Sequence, residues 1–486
     1  MCIRRWTTPT AFDGPVSPQV IEERANPVRS ATTAGTVGFW YSRQSLLMAL
    51  ACLFLLVHTV SGLIPPFQSP DEDAHIARAY LLSKGKLLPE VHEGYTGGAI
   101  DTGLLTYMQV FEDFAFNYER KITAKDIRLA QRITWTDKLQ FRPLPNTAVY
   151  FPLPYLPQAM ALAAGERMRW TLQESYYLAR FFSLLMTLAL LLAAMLLYPA
   201  PPAVLVVLLT PMAVFQMGSA SLDAVTFGMT ALTAALCMRG ADLRFKFNSG
   251  MHVGLVICAV SLATSRISLI GLTLLPVAIY GVRRRRSYLL SSALCVCLAF
   301  AWIAWVLPAV KEFSTHQAST ITVAEYYALH PISLFKAFSN TLGNAAVLKS
   351  YWEAFVGVLG WLDTPLDADV YFLFAVLILA SLLVQVAHSN GSGDYWGTLF
   401  LSASAVLALV ATFVIELLVW SPYPARLIVG IQGRYFTPIL ILLGYSLPCR
   451  QLSPLSLKWG VAGTFLVLAI SIGDMGTKLL HRYWLS

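Results

Sequence analysis

Long apolar stretches alternate with shorter polar ones along most of the chain. A helix that crosses a bilayer needs about 20 apolar residues, and backbone groups inside the bilayer must be hydrogen-bonded within the segment. The pattern therefore predicts an all-α polytopic membrane protein with about 11 transmembrane helices. The predicted spans are 44–64, 176–198, 202–218, 222–238, 251–265, 266–281, 288–308, 369–388, 396–420, 435–448 and 457–473.

Two segments between the spans are too long to be simple connectors. They cover residues 65–175 and 309–368, and both are rich in aromatic and apolar side chains. Loops of that length are usually functional or disordered, and the aromatic content favours order. We expect two large outer loops with amphipathic helices along the membrane surface. Within the first loop, 150–165 is expected to lie on or dip into the outer face without crossing, and its prolines favour a broken or re-entrant start.

Composition and charge support this class of protein. Hydrophobic residues make up 56% of the 486 residues and charged residues only 13%, whereas soluble chains have about a quarter charged residues. The net charge of +8 does not indicate nucleic acid, because the basic residues lie mainly between spans, as in Arg283–Arg286. With that loop inside, residues 1–43 are expected as a flexible cytoplasmic tail, 44–475 as the membrane domain and 476–486 as a short outer tail.

An acidic cluster directly follows the first span. Three carboxylates occur at 71–73 in the segment Ser69-Pro70-Asp71-Glu72-Asp73-Ala74-His75. Ser69 can cap a helix, Pro70 suits its first position and Glu72 stands where a capping box requires it. The predicted helix ends near Gly85. A well-capped surface helix explains these acids in part, but charges beside a membrane are also candidates for a functional site.

Helical spacing brings two more side chains into this cluster. Asp71, His75 and Arg78 are separated by four and seven positions, so they share one helix face. A carboxylate supported by His and Arg suits a general base or a ligand for a substrate hydroxyl. A metal site formed by Asp71, Asp73 and His75 is an alternative with few ligands.

Further charges lie at the outer ends of other predicted spans or in the second outer loop. Each has a structural interpretation: helix capping, a turn or an interfacial anchor. The arginines, however, oppose the usual charge bias of outer segments and require a partner, such as a phosphate. The candidate substrate-binding residues from these segments are Asp223, Arg266, Asp363, Arg426, Arg434 and Tyr435.

Several motifs recur in an order that resembles a known family. They are Gln68–His75 with Arg78-Ala79-Tyr80, Tyr155–Ala159, Ser221-Leu222-Asp223, Gly360–Thr364 and Gly433-Arg434-Tyr435-Phe436. This ordered set resembles the bacterial membrane family called domain of unknown function 2142. That family is similar in layout to the C-type (GT-C) membrane glycosyltransferases, which have many spans and a large first outer loop.

The resemblance implies a function and a set of roles. It implies transfer of a sugar from a polyprenyl-phosphate carrier to a glycan or lipid acceptor, on the outer face of the bacterial inner membrane. Asp71 or Glu72 would be the catalytic base, with Asp71 preferred because Glu72 can serve as a cap. Asp73, His75 and Arg78 would join the substrate-binding residues named above, and Arg266 and Arg434 would neutralise the lipid phosphate. No cofactor is expected, because the leaving group is already a phosphate; dependence on a divalent metal stays open.

Two other functions use similar parts. A transporter or flippase for lipid-linked sugars should carry polar groups in the middle of its spans, but the predicted spans are nearly free of charge. Glu416, close to an outer end, is the main exception. A polymerase or ligase that joins lipid-linked glycans stays open as the third hypothesis.

Overall fold

A computed structural model of the protein describes residues 43–144, 146–306, 319–387, 395–447 and 454–485. The predicted cytoplasmic tail therefore lies outside the described residues, apart from Arg43. The α-helices are α1 (Arg43–Leu63), α2 (Glu72–Ser83), α3 (Thr102–Gln109), α4 (Ala124–Ala130), α5 (Leu156–Arg167), α6 (Leu172–Leu197), α7 (Pro202–Leu208), α8 (Pro211–Met217), α9 (Leu222–Ala241), α10 (Ser249–Ser265), α11 (Leu275–Arg283), α12 (Arg286–Val306), α13 (Thr320–Leu329), α14 (Pro331–Leu342), α15 (Ala345–Gly357), α16 (Ala368–Ala387), α17 (Tyr395–Val419), α18 (Phe436–Ser446) and α19 (Pro454–Tyr483).

Short strands and 3-10 helices complete the described secondary structure. The strands are β1 (Glu90–His92), β2 (Tyr95–Asp101), β3 (Leu139–Pro143), β4 (Val358–Leu359) and β5 (Thr364–Pro365), and the 3-10 helices are Glu112–Phe114, Leu153–Tyr155, Ile267–Leu274 and Gly433–Tyr435.

The chain is predominantly helical, as the apolar runs predict. In the described ranges six helices are long and apolar enough to cross a membrane: α1, α6, α9, α12, α16 and α17. The expected total of about eleven is not confirmed. The central member is α9, which is buried over nearly its whole length and contacts α6, α10, α11, α17 and α18. This packing explains why α9 has apolar residues on all sides.

The other predicted spans differ in form. The run 202–218 is broken at Leu209 and Thr210 into α7 and α8, because Thr210 caps a new helix whose first residue is Pro211. The run 266–281 begins as a 3-10 helix before α11, and α10 and α18 have only 17 and 11 residues. Apolar composition predicted these segments correctly as helical, but it could not show breaks set by local capping and proline.

The first of the two long loops, predicted to be outer, is ordered, and it contains a sheet that the all-α prediction lacked. Strands β1, β2 and β3 form an antiparallel sheet in that order, with Glu90 opposite Gly97 and Gly97 opposite Pro143. The segment 150–165 contains α5, whose 12 residues extend about 18 Å, too short to cross a bilayer. Helix α5 packs against α2 and α6.

The described part of the second long loop, also predicted to be outer, and the C-terminal segment are structured as well. Helices α13, α14 and α15 lead to a β4–β5 hairpin, and α19 continues to Tyr483. The stretch expected as a short outer tail is therefore largely helical. Arg482 and Tyr483 are buried in it rather than exposed.

Charges divide between the two ends of α9. Asp223 lies in its first turn and Arg239 in its last, 16 positions and therefore about 24 Å apart along the helix. Arg239 donates to the carbonyl of Leu197 at the end of α6, and Arg283 donates to the carbonyl of Gly240. The basic residues between spans thus gather at the end of the helix bundle opposite to Asp223.

Candidate active site at one end of the helix bundle

Asp71 is the residue directly before α2, where the sequence predicted Ser69 as the helix cap. The residue adopts a left-handed conformation, with φ 62° and ψ 8°, and its side chain makes no capping bond. The hydroxyl of Ser69 donates to Gln216 instead of capping the helix. The predicted C-terminal end of this helix near Gly85 is confirmed, because α2 ends at Ser83 and Gly85 has a φ of 75°. A non-glycine residue held in this region stores strain, which frequently occurs at functional sites.

Arg434 binds the carboxylate of Asp71. Its Nη2 lies 2.5 Å from Oδ2 of Asp71, and its Nη1 donates to the carbonyl of Pro70 at 2.9 Å. The second oxygen of Asp71 accepts from the amide of Asn146 at 2.8 Å. Arg434 reaches this position because the 3-10 helix Gly433–Tyr435 packs tightly on α15 at Gly433.

A second acid–arginine pair adjoins the first. Asp223 is placed in the first turn of α9 by Ser221, whose hydroxyl accepts from the Asp223 backbone N–H. Oδ2 of Asp223 lies 3.2 Å from Nη1 of Arg434, and Oδ1 contacts Nη2 of Arg266 at the end of α10. Four charged side chains from four separate segments therefore form one chain: Asp71, Arg434, Asp223 and Arg266.

The four members differ in their access to solvent. The side chains of Arg434 and Asp223 are 3% and 1% exposed, whereas that of Asp71 is 31% exposed. Burial raises the pKa of the Asp71 carboxyl, but the charge of Arg434 and hydrogen bonds from Arg434 and Asn146 outweigh it and lower the pKa below its ordinary value. Asp71 is thus an ionised carboxylate at the open end of a buried charge network.

Aromatic rings border this network. The ring of Tyr435 lies 5.6 Å from the guanidinium carbons of both Arg266 and Arg434, a distance at which cation–π attraction acts. His75 is buried, lies 2.8 Å from the Tyr155 hydroxyl through Nδ1 and stacks near Tyr150. Burial and the positive charges of Arg434 and Arg266 lower the pKa of His75 to about 3, so the imidazole is neutral at pH 7.

Glu72 was the alternative to Asp71 as the catalytic base, but its contacts in the structure indicate a structural role. Its carboxylate is completely buried and forms an ion pair with Arg180 of α6 at 3.2 Å. It also accepts from the hydroxyl of Tyr176 and the backbone N–H of Ala220. Arg180 uses its remaining donors on the carbonyls of Ser61, Ile64 and Pro65. A base must meet a substrate hydroxyl, so this enclosed carboxylate is a structural cross-link.

Two further candidate residues of α2, Asp73 and Arg78, have partners outside the charge network. Asp73 forms an ion pair with Arg142 of β3. Arg78 donates to the carbonyls of Leu87 and Tyr150, and thereby holds two loop segments against α2. Asp73 and His75 therefore each have a partner other than Asp71. Across the described ranges, no three His, Cys, Asp or Glu side chains form a group that could hold a metal ion.

Two predicted site residues lie apart from the network. Asp363 pairs with Arg482 of α19 at 2.7 Å and accepts from the hydroxyl of Thr364, which fixes the β4–β5 hairpin to the C-terminal helix. The side chain of Arg426 is exposed, and its backbone carbonyl accepts from Asn340. The structure does not bring either residue to Asp71.

A family profile described as "Predicted membrane protein (DUF2142)" matches residues 53–443. The chain belongs to the DUF2142 family. All four members of the charge network lie inside the matched segment, and so do the motifs that carried the resemblance. A search among curated proteins finds no significant match to this DUF2142 chain.

The solved structures that are similar at a low level include ArnT from Cupriavidus metallidurans bound to undecaprenyl phosphate, with 12% sequence identity and a TM-score of 0.35. The match covers 91% of the DUF2142 chain and 79% of the ArnT chain. A similarity of that size is too low to establish a shared fold.

Sequence reasoning missed several residues around the DUF2142 network. Asn146 was not singled out, and Tyr150 and Tyr155 were noted only within the segment 150–165 and the motif Tyr155–Ala159, without a role in the site. Glu416 had been noted only as a charge within a span; it lies close enough to Asp71 and Arg434 for their charges to interact. A carboxylate in the last turn of an apolar helix was the available signal, because the helix dipole disfavours it there.

Proposed function

We propose that this protein is an integral membrane glycosyltransferase that moves a sugar from a polyprenyl-phosphate carrier to a cell-surface glycan or lipid acceptor. The observation that carries the proposal is the contact of Asp71 with Arg434, joined to Asp223 and Arg266. It combines one accessible carboxylate with the guanidinium groups of Arg434, which is buried, and Arg266, which is 12% exposed. Sugar transfer from a lipid phosphate needs these two functions, a base for the hydroxyl and a cation for the leaving phosphate.

The distribution of basic residues supports an outer location for this chemistry. Arg239 and Arg283 lie at the end of the bundle opposite to Asp223. Basic loops between spans remain in the cytoplasm in most membrane proteins. The candidate site would then face the periplasm or exterior from the bacterial inner membrane, where lipid-linked sugars meet cell-surface acceptors.

Asp71 is the proposed general base. Its carboxylate takes the proton of an acceptor hydroxyl while that oxygen forms a bond to the anomeric carbon of the sugar. The bond from this carbon to the carrier phosphate oxygen breaks, and its electron pair remains on the phosphate. The reaction inverts the anomeric centre, and Asp71 then releases the proton to solvent through its exposed side.

Arg434 and Arg266 are proposed to neutralise the carrier phosphate. The Nε atoms of both arginines are buried and have no hydrogen-bond partner in the described part of the chain. A phosphate oxygen would accept hydrogen bonds from such donors, and the planar guanidinium group matches the geometry of a phosphate. If Arg434 turns toward the phosphate, it releases Asp71, and the pKa of that carboxyl rises toward its ordinary value. Carrier binding would therefore make Asp71 a stronger base.

The decisive test replaces Asp71 by asparagine in host cells that lack their own copy of the protein. Asp71→Asn removes the base but retains the size of the side chain, so glycan transfer should fall at least about 100-fold at equal protein level. Asp137→Asn is the matched control, because Asp137 is an exposed aspartate of the same outer loop. Unchanged transfer in Asp71→Asn would remove the proposed base. If the protein were a transporter, its inactivation would instead cause the lipid-linked substrate to accumulate on the cytoplasmic side.

A further inference from the structure

Glu416 is a buried carboxylate that the proposed mechanism does not use. It lies in the last turn of α17, and the whole residue is 6% exposed. Its Oε2 has no hydrogen-bond partner, and no basic side chain lies within ion-pair distance of it among the described residues. Leaving a carboxylate oxygen buried without a partner costs stability, and the helix dipole adds to that cost.

The backbone opposite Glu416 leaves room for its carboxylate. Gly430 has φ 92°, a conformation that favours glycine, and a Cβ atom there would lie 2.5 Å from Oε2 of Glu416. The same Cβ would meet Trp420 at 2.9 Å. The chain therefore accommodates this carboxylate closely, although no described residue uses its Oε2.

Glu416 lies near the charge network and its aromatic border, within electrostatic range of Arg434 and Asp71. Tyr150, Tyr351 and Tyr435 also lie within the reach of its charge. A few polar groups among aromatic side chains are typical of a site for a small polar ligand.

We propose that Glu416 is a substrate-binding residue that accepts a hydrogen bond from a hydroxyl group of the transferred sugar. This inference rests on the proposed function. A carboxyl group cannot neutralise the carrier phosphate, so Glu416 would bind the sugar while Arg266 and Arg434 bind the phosphate. The orphaned Oε2 would gain its partner only when the sugar is present, which explains why a costly buried group is retained.

The first measurement needs no substrate. Full-length protein in lipid-containing detergent micelles is heated as wild type, Glu416→Leu and Glu325→Leu, where Glu325 is an exposed glutamate of α13. Glu416→Leu should raise Tm by about 2 °C or more, because an apolar side chain replaces a buried carboxyl group with an unpaired oxygen. The exposed control should change little. An unchanged or lower Tm of Glu416→Leu would overturn the proposal, since Glu416 would then be structural.

The second measurement compares transfer in the host cells. Glu416→Leu should reduce glycan transfer at least about 10-fold, whereas Glu416→Gln, which can still accept a hydrogen bond, should remain within about threefold of wild type. Equal loss in both variants would overturn the hydroxyl assignment in favour of a cationic group, and full transfer in Glu416→Leu would overturn a role in binding. Asp71→Asn tests the proposed function separately: transfer retained there defeats that function, whatever the Glu416 variants show.

Discussion

Nη2 of Arg434 lies 2.5 Å from Oδ2 of Asp71, although the two residues are 363 positions apart in the chain. The contact joins the turn after α1 to the start of α18. Asp223 extends it to the first turn of α9, and Arg266 to the end of α10. One network of charges thus fixes four helix ends and presents one carboxylate to solvent.

Replacement of Arg434 by lysine should damage this network although it preserves the charge. One ammonium group cannot reach Asp71, Asp223 and the carbonyl of Pro70 together, as the planar guanidinium does. The loss of charge-assisted hydrogen bonds should reduce the free energy of unfolding by about 2–4 kcal/mol. Thermal unfolding in detergent measures this change.

Arg426→Lys provides the comparison for that variant. Arg426 is an exposed arginine outside the network, so its replacement should change the free energy of unfolding by less than about 0.5 kcal/mol. Equal stability of the two lysine variants would show that the contacts of Arg434 do not hold the site together.

Glu72→Gln should fail through stability rather than chemistry. The substitution leaves the buried guanidinium of Arg180 without its counter-charge, which should cost about 3–5 kcal/mol. We expect a large fall in the yield of folded protein, measured by size-exclusion chromatography. Glu166→Gln is the control, because the pair of Glu166 with Lys84 is partly exposed and contributes at most about 1 kcal/mol. A folded, normally stable Glu72→Gln protein without transfer activity would instead indicate a catalytic Glu72.

His75 predicts a pH dependence of stability. Its pKa is lowered from 6.5 to about 3 in the folded protein, so only the unfolded state binds this proton between those values. Stability is therefore retained above pH 6.5 and lost as pH falls below it, by about 2 kcal/mol at pH 4.5 from this residue alone. Asp71 contributes no slope in this window, because its lowered pKa affects stability only below its ordinary value of 3.8.

The contribution of His75 is isolated by comparison with His75→Gln. Tm should fall less between pH 6.5 and 4.5 in this variant than in wild type, and the two proteins should behave alike above pH 7. A slope that is unchanged by the substitution would show that the imidazole is not kept neutral by its surroundings.

Gly433→Ala should disturb the position of Arg434. An added Cβ would collide with backbone atoms of Ala354 and Phe355 in α15, and backbone cannot move aside as a flexible side chain can. We expect a strong loss of stability. Gly473→Ala is the matched control, because a Cβ at Gly473 would meet nothing within 4 Å. Similar Tm values for both variants would show that the close approach of Gly433 to α15 is unimportant.

The hydropathy of the sequence predicted a helical membrane protein. The position of charged residues at the ends of the predicted spans identified the residues that form the charge network. Asp223, Arg266 and Arg434 could be selected because outer charges beside apolar helices need partners, and Asp71 because it follows the first span. Their mutual pairing could not be derived, since it depends on which helix ends are neighbours. The same limit hid the partner of Glu72, because Arg180 lies within an apolar run and its contact requires the packing of α6 against the turn after α1.

Local rules failed where tertiary contacts decide the structure. Ser69 has the sequence of a helix cap, but a buried bond to Gln216 takes its hydroxyl and Asp71 becomes the residue before α2. The sheet of the first outer loop was missed because β1 and β3 are only three and five residues long, and β2 contains two adjacent glycines, Gly97 and Gly98. Short strands of this kind carry too little alternation to be recognised.

The most direct test of the proposed site is a cryo-EM map of the protein in lipid nanodiscs with undecaprenyl phosphate. The account predicts phosphate density in contact with Arg266 and Arg434, beside a carboxylate of Asp71 that has separated from Arg434. Phosphate density at the opposite end of the bundle, near Arg239 and Arg283, or an Asp71–Arg434 pair unchanged with the phosphate bound elsewhere, would contradict it.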